Sequence, residues 1–132
     1  METNTLHFII VDDDDISNFI TKSVIMENSP QAEVISFTEP EKGLEYVLSL
    51  FKKQKEGKAI LLLDINMPSM TGWQFMEVLE QKEPAVSERL LVYILSSSVE
   101  PADQERARVN LQIRDYIMKP LTHDAIIFNS LN

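Results

Sequence analysis

The stretch Phe8-Ile9-Ile10-Val11-Asp12-Asp13-Asp14-Asp15 decides how the rest of the chain is read. Four consecutive apolar residues, most of them branched and none alternating with polar ones, suit a strand buried on both faces. The four aspartates end that strand abruptly. Ile16, Phe19, Ile20 and Val24 then recur at helical spacing, which predicts a helix with an apolar stripe. Asp14 or Asp15 is available as its N-cap. A buried strand that stops at carboxylates and turns at once into a helix is one βα unit.

The same unit recurs outward from that stretch. Val34-Ile35-Ser36-Phe37 reads as a second strand. Thr38 and Glu41 have capping-box spacing, and Pro40 occupies the permitted first turn. Leu44, Val47, Leu48 and Phe51 follow at i, i+3, i+4 and i+7, the stripe of a second helix. The run Lys52 to Lys58, with Lys53 and Lys55, reads as a solvated helix exit. Ala59 to Leu63 is a third apolar run, ended by Asp64. A Pro68–Gly72 loop leads into a helix carrying Phe75, Met76 and Leu79, with Trp73 as a packing residue at its start. Leu90 to Leu95 is a fourth strand, ended by Ser96-Ser97-Ser98. Pro101 opens a polar helix through about Val109. Tyr116-Ile117-Met118 is a short fifth strand, ended by Lys119-Pro120. Thr122 is expected to cap a last helix carrying Ala125, Ile126 and Phe128.

Five βα units imply a parallel sheet covered on both faces, with right-handed crossovers. They are too few for an eightfold barrel. The expected fold is an open α/β structure: a flavodoxin-like (βα)5, doubly wound, five-stranded parallel sheet of strand order 2-1-3-4-5. The 132 residues suit one domain over 1–132, and no output domain is expected. With 12 basic against 21 acidic side chains, the net charge of −9 lacks the footprint of a nucleic-acid binder. There is no Cys, which excludes thiol chemistry and zinc–thiolate sites. The apolar runs are too short to span a membrane, so a cytoplasmic location is expected.

In open α/β sheets, sites form beyond the carboxyl ends of the strands, where the winding switches. In this chain those ends carry Asp12-Asp13, Asp64, Ser96 and Lys119. Packed carboxylates repel and raise one another's pKa, a conflict that a divalent cation resolves. Oxygen-only ligands suit Mg²⁺ or Mn²⁺. Lys119 and Ser96 supply a positive charge and a donor suited to phosphoryl oxygens. Asp64, alone at the end of the central strand, is the best nucleophile for aspartyl-phosphate chemistry. Asp12 and Asp13 read as the metal-binding pair. His7 and His123 have no partner at metal-ligand spacing.

Ile10-Val11-Asp12-Asp13, Leu63-Asp64-Ile65-Asn66-Met67-Pro68 with Gly72, Leu95-Ser96-Ser97 and Tyr116-Ile117-Met118-Lys119-Pro120 together resemble the receiver domain of bacterial two-component response regulators. The resemblance runs from Ile9 to about Phe128. It implies that Asp64 accepts a phosphoryl group, and that Asp12, Asp13, Asp64 and the backbone carbonyl of Asn66 bind Mg²⁺. It further implies that Ser96 and Lys119 contact the phosphoryl group and that Tyr116 is a switch residue. A cis Lys119–Pro120 bond is expected, and Asn66 and Ser98 would tune hydrolysis. The implied partners are a histidine kinase or histidine phosphotransfer protein. A downstream target would bind the face built by the fourth helix, fifth strand and last helix, where Arg106 and Arg108 lie. The protein would be a monomer or a phosphorylation-dependent dimer. Ser96 stands where Thr is more frequent, and no Gly precedes the fifth strand.

Two other chemistries fit less well. A Mg²⁺-dependent phosphatase with an Asp nucleophile needs a second carboxylate two residues on, and Asn66 cannot shuttle a proton. A nucleotide or flavin module needs a Gly-rich phosphate loop, whereas the three glycines lie at 43, 57 and 72.

Overall fold

The apolar runs assemble side by side as the core of the protein, whose computed structural model describes residues 6–53 and 57–129. In chain order the elements are β1 (His7–Val11), α1 (Asp15–Asn28), β2 (Glu33–Phe37), α2 (Pro40–Lys53), β3 (Ala59–Leu63), α3 (Gly72–Lys82), β4 (Leu90–Ser96), α4 (Pro101–Val109), β5 (Ile113–Met118) and α5 (Ile126–Asn129). A 3₁₀ turn at Pro84–Glu88, which the sequence reading did not anticipate, leads into β4. The sheet is parallel, in the order β2-β1-β3-β4-β5, as expected.

Side chains alternate across a strand, so each strand feeds two cores. Ile9, Val11, Leu61, Leu63, Val92 and Ile94 face one side, against α2, α3 and α4. Phe8, Ile10, Ile60, Leu62, Tyr93 and Leu95 face the other, with Ile25 of α1 and Ile127 of α5. That two-sided burial is why the central strands read as unbroken apolar runs.

The second helix behaves as its stripe predicts: Leu44, Val47 and Phe51 are buried, and Leu48 packs against them. Gly43 on the same helix lets it approach β1, since a Cβ there would lie 2.7 Å from Val11 Cγ2. Lys52, Lys53 and Lys58 are exposed, and Lys55 lies outside the described residues.

Helix α1 overturns its expectation. Ile16 is 70% exposed, Phe19 72% and Ile20 41%, and Val24 is only half-buried. The buried residues are instead Asn18, Thr21 and Ile25. The reason is polar. Asp14 caps the helix by accepting from the Ile16 and Ser17 N–H groups, and the Ser17 and Asn18 side chains bond Asp12. These bonds fix the helix's rotation about its axis, and the apolar stripe is left facing water.

Four smaller differences have local causes. Pro40 starts α2, with a fixed φ and no N–H to satisfy, so Glu39 rather than Thr38 immediately precedes the helix. A reciprocal capping box does form on α3, between Thr71 and Gln74. Strand β5 begins three residues early, at Ile113, because an edge strand tolerates Arg114 and Asp115 and a bulge opposite Val92 and Tyr93 accommodates the extra residue. Thr122 donates its hydroxyl to Asp124, and Ala125 precedes the short α5.

Candidate functional site

Strands β1 and β3 end where their apolar runs end, β4 ends one residue later at Ser96, and these ends meet at one rim. Asp12, immediately after β1, is only 2% exposed. Both of its carboxylate oxygens are engaged. Oδ2 accepts from Lys119 Nζ at 2.6 Å and from Ser17 Oγ at 2.7 Å, and Oδ1 accepts from the Asp14 N–H at 3.0 Å. Behind it, Asn18 Nδ2 donates to the Asp12 carbonyl at 2.9 Å. Asp13 is exposed beside it.

Asp64 follows β3. Its Oδ1 accepts from the Ile65 N–H at 2.9 Å, and its Oδ2 lies 3.7 Å from Lys119 Nζ. The following loop folds back tightly over it. A Cβ at Gly72 would stand 2.5 Å from the Asp64 carbonyl oxygen, so no side chain fits there, and the Gly72 N–H donates to Ile65. Burial, then the neighbouring Asp12 charge, pushes the Asp64 carboxyl up to about 6, with Asp13 adding to the push; Lys119 and the Ile65 N–H pull the other way. The carboxylates of Asp12, Asp13 and Asp64 offer oxygens within 4.8 Å of one another. Burial leaves Asp64 reluctant to ionise, and the imbalance of one ammonium against three carboxylates adds to it. That donor set, all oxygen and under-neutralised, fits a hard divalent cation.

Lys119 reaches this cluster from the turn after β5, where the Lys119–Pro120 bond is cis, as expected. Its N–H also donates to the carbonyl of Ser96, tying β5 to the end of β4. Ser96 is 1% exposed, and its hydroxyl accepts from the Ser98 N–H at 3.1 Å. The half-buried Tyr116 donates its hydroxyl to the Ser98 carbonyl at 2.8 Å. Asn66 is exposed in the loop two residues beyond Asp64. Thus Asp12, Asp13, Asp64 and Lys119 meet directly, while Ser96 and Tyr116 are joined to each other through Ser98.

Sequence reasoning missed Ser17 and Asn18, which clamp Asp12. Their signal was a polar pair interrupting the apolar residues of α1. Asp103 was missed as well: it holds Ser98, and it accepts from the indole of the buried Trp73. His7 lies at the opposite end of the sheet, between Tyr46 and Glu33, and His123 pairs with Glu27. Neither is near the cluster.

Residues 8–129 match the model of the response regulator receiver domain family. The chain belongs to that family. No curated protein matches it. Among solved structures it is similar to a two component response regulator from Cytophaga hutchinsonii, with 28% identity over 98% of this chain and 97% of that one and a TM-score of 0.86. A response regulator receiver protein from Dyadobacter fermentans is 25% identical over 96% and 95% of the two chains, with a TM-score of 0.81. Chemotaxis protein CheY4 of Vibrio cholerae shares the fold, with a TM-score of 0.72 at 15% identity over 96% and 97%. Receiver domains are phosphoacceptors of two-component signalling, generally without enzymatic turnover of their own. They bind Mg²⁺ at an acidic pocket and interact with histidine kinases or phosphotransfer proteins. Among the described residues no helix is long and apolar enough to cross a membrane.

Proposed function

We propose that this receiver domain is a phosphorylation-controlled switch whose phosphoacceptor is Asp64. The observation that carries the reading is Lys119 Nζ standing 2.6 Å from Asp12 and 3.7 Å from Asp64, in a cluster of three carboxylates at the strand ends. An Asp64 oxygen attacks the phosphorus of a phosphohistidine on a histidine kinase or histidine phosphotransfer protein. The P–O bond forms as the P–N bond breaks, and the departing imidazole takes a proton from solvent. Asp12, Asp13, Asp64 and the Asn66 carbonyl would hold Mg²⁺ or Mn²⁺, which neutralises charge on the phosphoryl oxygens when bound. Lys119 pairs with the phosphoryl group, the Ser96 hydroxyl donates to it, and Tyr116 turns inward as Ser96 moves. That remodels the face of α4, β5 and α5, a local charge change read out at a protein-binding surface.

The exposed Ile16 and Ile20 support an approach for the phosphodonor, because they border the Lys119–Pro120 turn across a shallow hollow. We read the chain as a single receiver domain of the cytoplasm, monomeric or dimeric on phosphorylation. It acts by protein contact or onward phosphotransfer, with self-phosphorylation and self-dephosphorylation as its only chemistry.

Incubation with acetyl phosphate and Mg²⁺, followed by intact mass, tests this. One phosphoryl group should be added, lost in Asp64→Ala and reduced in Asp13→Ala. An adduct that survives Asp64→Ala sinks the assignment. Turnover of unrelated phosphate esters would favour a phosphatase.

A further inference from the structure

Three donors fix the carboxylate of the buried Asp12. The Asp14 N–H reaches Oδ1 at 3.0 Å, while the Ser17 hydroxyl at 2.7 Å and the Lys119 ammonium at 2.6 Å share Oδ2. The same ammonium stands 3.7 Å from Asp64 Oδ2, beyond a hydrogen bond but within ion-pair range. Lys119 thus takes its place beside Asp64 from its shorter bond to Asp12.

Neither partner of that bond is rigid by itself. A carboxylate turns easily about its Cβ–Cγ bond, because the terminal torsion of Asp is broad. A lysine ammonium is a point charge on a flexible four-carbon stem. The Asp14 N–H restrains only Oδ1, whereas Ser17 restrains Oδ2, the oxygen that Lys119 uses. The Ser17 hydroxyl has one proton, and it gives that proton to a group that can only accept, in a charge-assisted bond. Ser17 is itself held. Its N–H makes a long bond, 3.4 Å, to the Asp14 side chain, and the next residue, Asn18, donates to the Asp12 carbonyl at 2.9 Å. Helix α1 therefore presents a hydroxyl in a fixed place to a carboxylate that would otherwise turn. Placement matters at this distance from the chemistry: a shift of about 1 Å in a reacting or stabilising group can cost on the order of 100-fold in rate.

We infer that Ser17 is a positioning residue for phosphoryl transfer: it orients the Asp12 carboxylate, and through it holds the Lys119 ammonium within reach of Asp64. The inference rests on Asp64 being the phosphoacceptor. Ser17 acts through Asp12 rather than on Asp64 itself.

The test follows phosphorylation of the full chain by acetyl phosphate at saturating Mg²⁺. The rate of adduct formation is read by intact mass, well below the melting temperature of every variant. Ser17→Ala should slow the adduct by about 3- to 10-fold, the effect of losing one hydrogen bond. Ser17→Thr keeps the hydroxyl and should restore the wild-type rate. Ser23→Ala controls for general damage to the helix. Ser23 lies on α1 as well, but its hydroxyl donates to the Phe19 carbonyl at 2.9 Å on the exposed side, so its loss should leave the rate unchanged. If Ser17 served stability alone, Ser17→Ala would lower the melting temperature and phosphorylate at the wild-type rate. That result removes the positioning role and leaves the Asp64 assignment standing. Equal slowing in Ser23→Ala, or a folded Ser17→Thr as slow as Ser17→Ala, overturns the role too. Absence of any adduct on the wild type overturns the phosphoacceptor assignment, and the positioning role with it.

Discussion

Helices α1 and α2 lie on opposite faces of β1, and each carries a row of large apolar residues, yet only α2 buries its row. Packing alone sets α2: Leu44, Val47 and Phe51 enter the core, and the polar side faces water. Helix α1 begins at the rim, where Asp14, Ser17 and Asn18 must serve Asp12 and the helix end. A buried carbonyl or carboxylate left unpaired costs about 1–3 kcal/mol, comparable to the gain from burying one apolar side chain. Several such bonds acting together outweigh the stripe. Where a helix starts at a charged site, its hydrophobic periodicity stops being a guide to which face is buried.

The largest effect should separate the two rows outright. Val47→Asp places an unpaired carboxylate in the core and should unfold the protein at neutral pH, at a cost above about 4 kcal/mol. Phe19→Asp, on the equivalent row of α1, should change stability by no more than about 0.5 kcal/mol and leave labelling by acetyl phosphate intact. Urea unfolding of both variants checks the contrast. If Phe19→Asp is as damaging as Val47→Asp, the exposed setting of α1 is wrong.

Asn18→Asp is isosteric but turns the donor to the Asp12 carbonyl into an acceptor, and adds charge beside a crowded cluster. It should cost about 2–4 kcal/mol at pH 7, and less as the pH falls and the new carboxyl takes up a proton. A neutral outcome at pH 7 would mean that this bond does not hold the helix in its setting.

Asp64 sharpens the same point from the other side of β1. Its folded carboxyl titrates near 6, above the roughly 3.9 of an unfolded aspartate. The folded state therefore holds the proton more tightly between those values. Without metal, the stability that this group contributes is fully present below about pH 4, is lost as pH rises, and is gone above about pH 6. Asp64→Asn should flatten that slope and gain on the order of 1 kcal/mol at pH 7.5, after allowing for water screening at the rim. Mg²⁺ should stabilise the wild type above pH 6, by about 1.4 kcal/mol at ten times its dissociation constant, and do far less for Asp64→Asn. Melting temperatures across pH, with and without Mg²⁺, read both effects. A difference between wild type and Asp64→Asn that does not change between pH 4 and pH 7.5 would contradict the burial and crowding of this carboxyl.

The strands and the charged rim were legible because each depends on consecutive residues. An unbroken apolar run says where a strand is buried, and the next residue says what it delivers: Asp12, Asp64, Ser96. The rest depends on contacts between distant segments. Arg114 and Asp115 look like loop until the edge position of β5 is known. Asp103 is an ordinary first-turn acid until α4 lies against Ser98 and Trp73. Ser17 and Asn18 are unremarkable polar residues until Asp12 proves to be buried beneath them.

The smallest effect falls to Ser17, which shares Asp12 Oδ2 with Lys119. In Ser17→Ala that oxygen keeps its stronger, charged partner, so stability should drop by about 0.5–1 kcal/mol. The Asp14 cap and the Asn18 bond also remain, so α1 keeps its setting and Phe19 stays exposed. Quenching of a phenylalanine-to-tryptophan reporter at 19, in a Trp73→Phe background, follows that directly. Equal quencher access with and without the Ser17 hydroxyl leaves Asn18 and the cap as the determinants of rotation. Reduced access in Ser17→Ala would mean that the helix rolls its apolar row inward once this bond is gone, and that the setting of α1 is balanced on the weakest of its three ties.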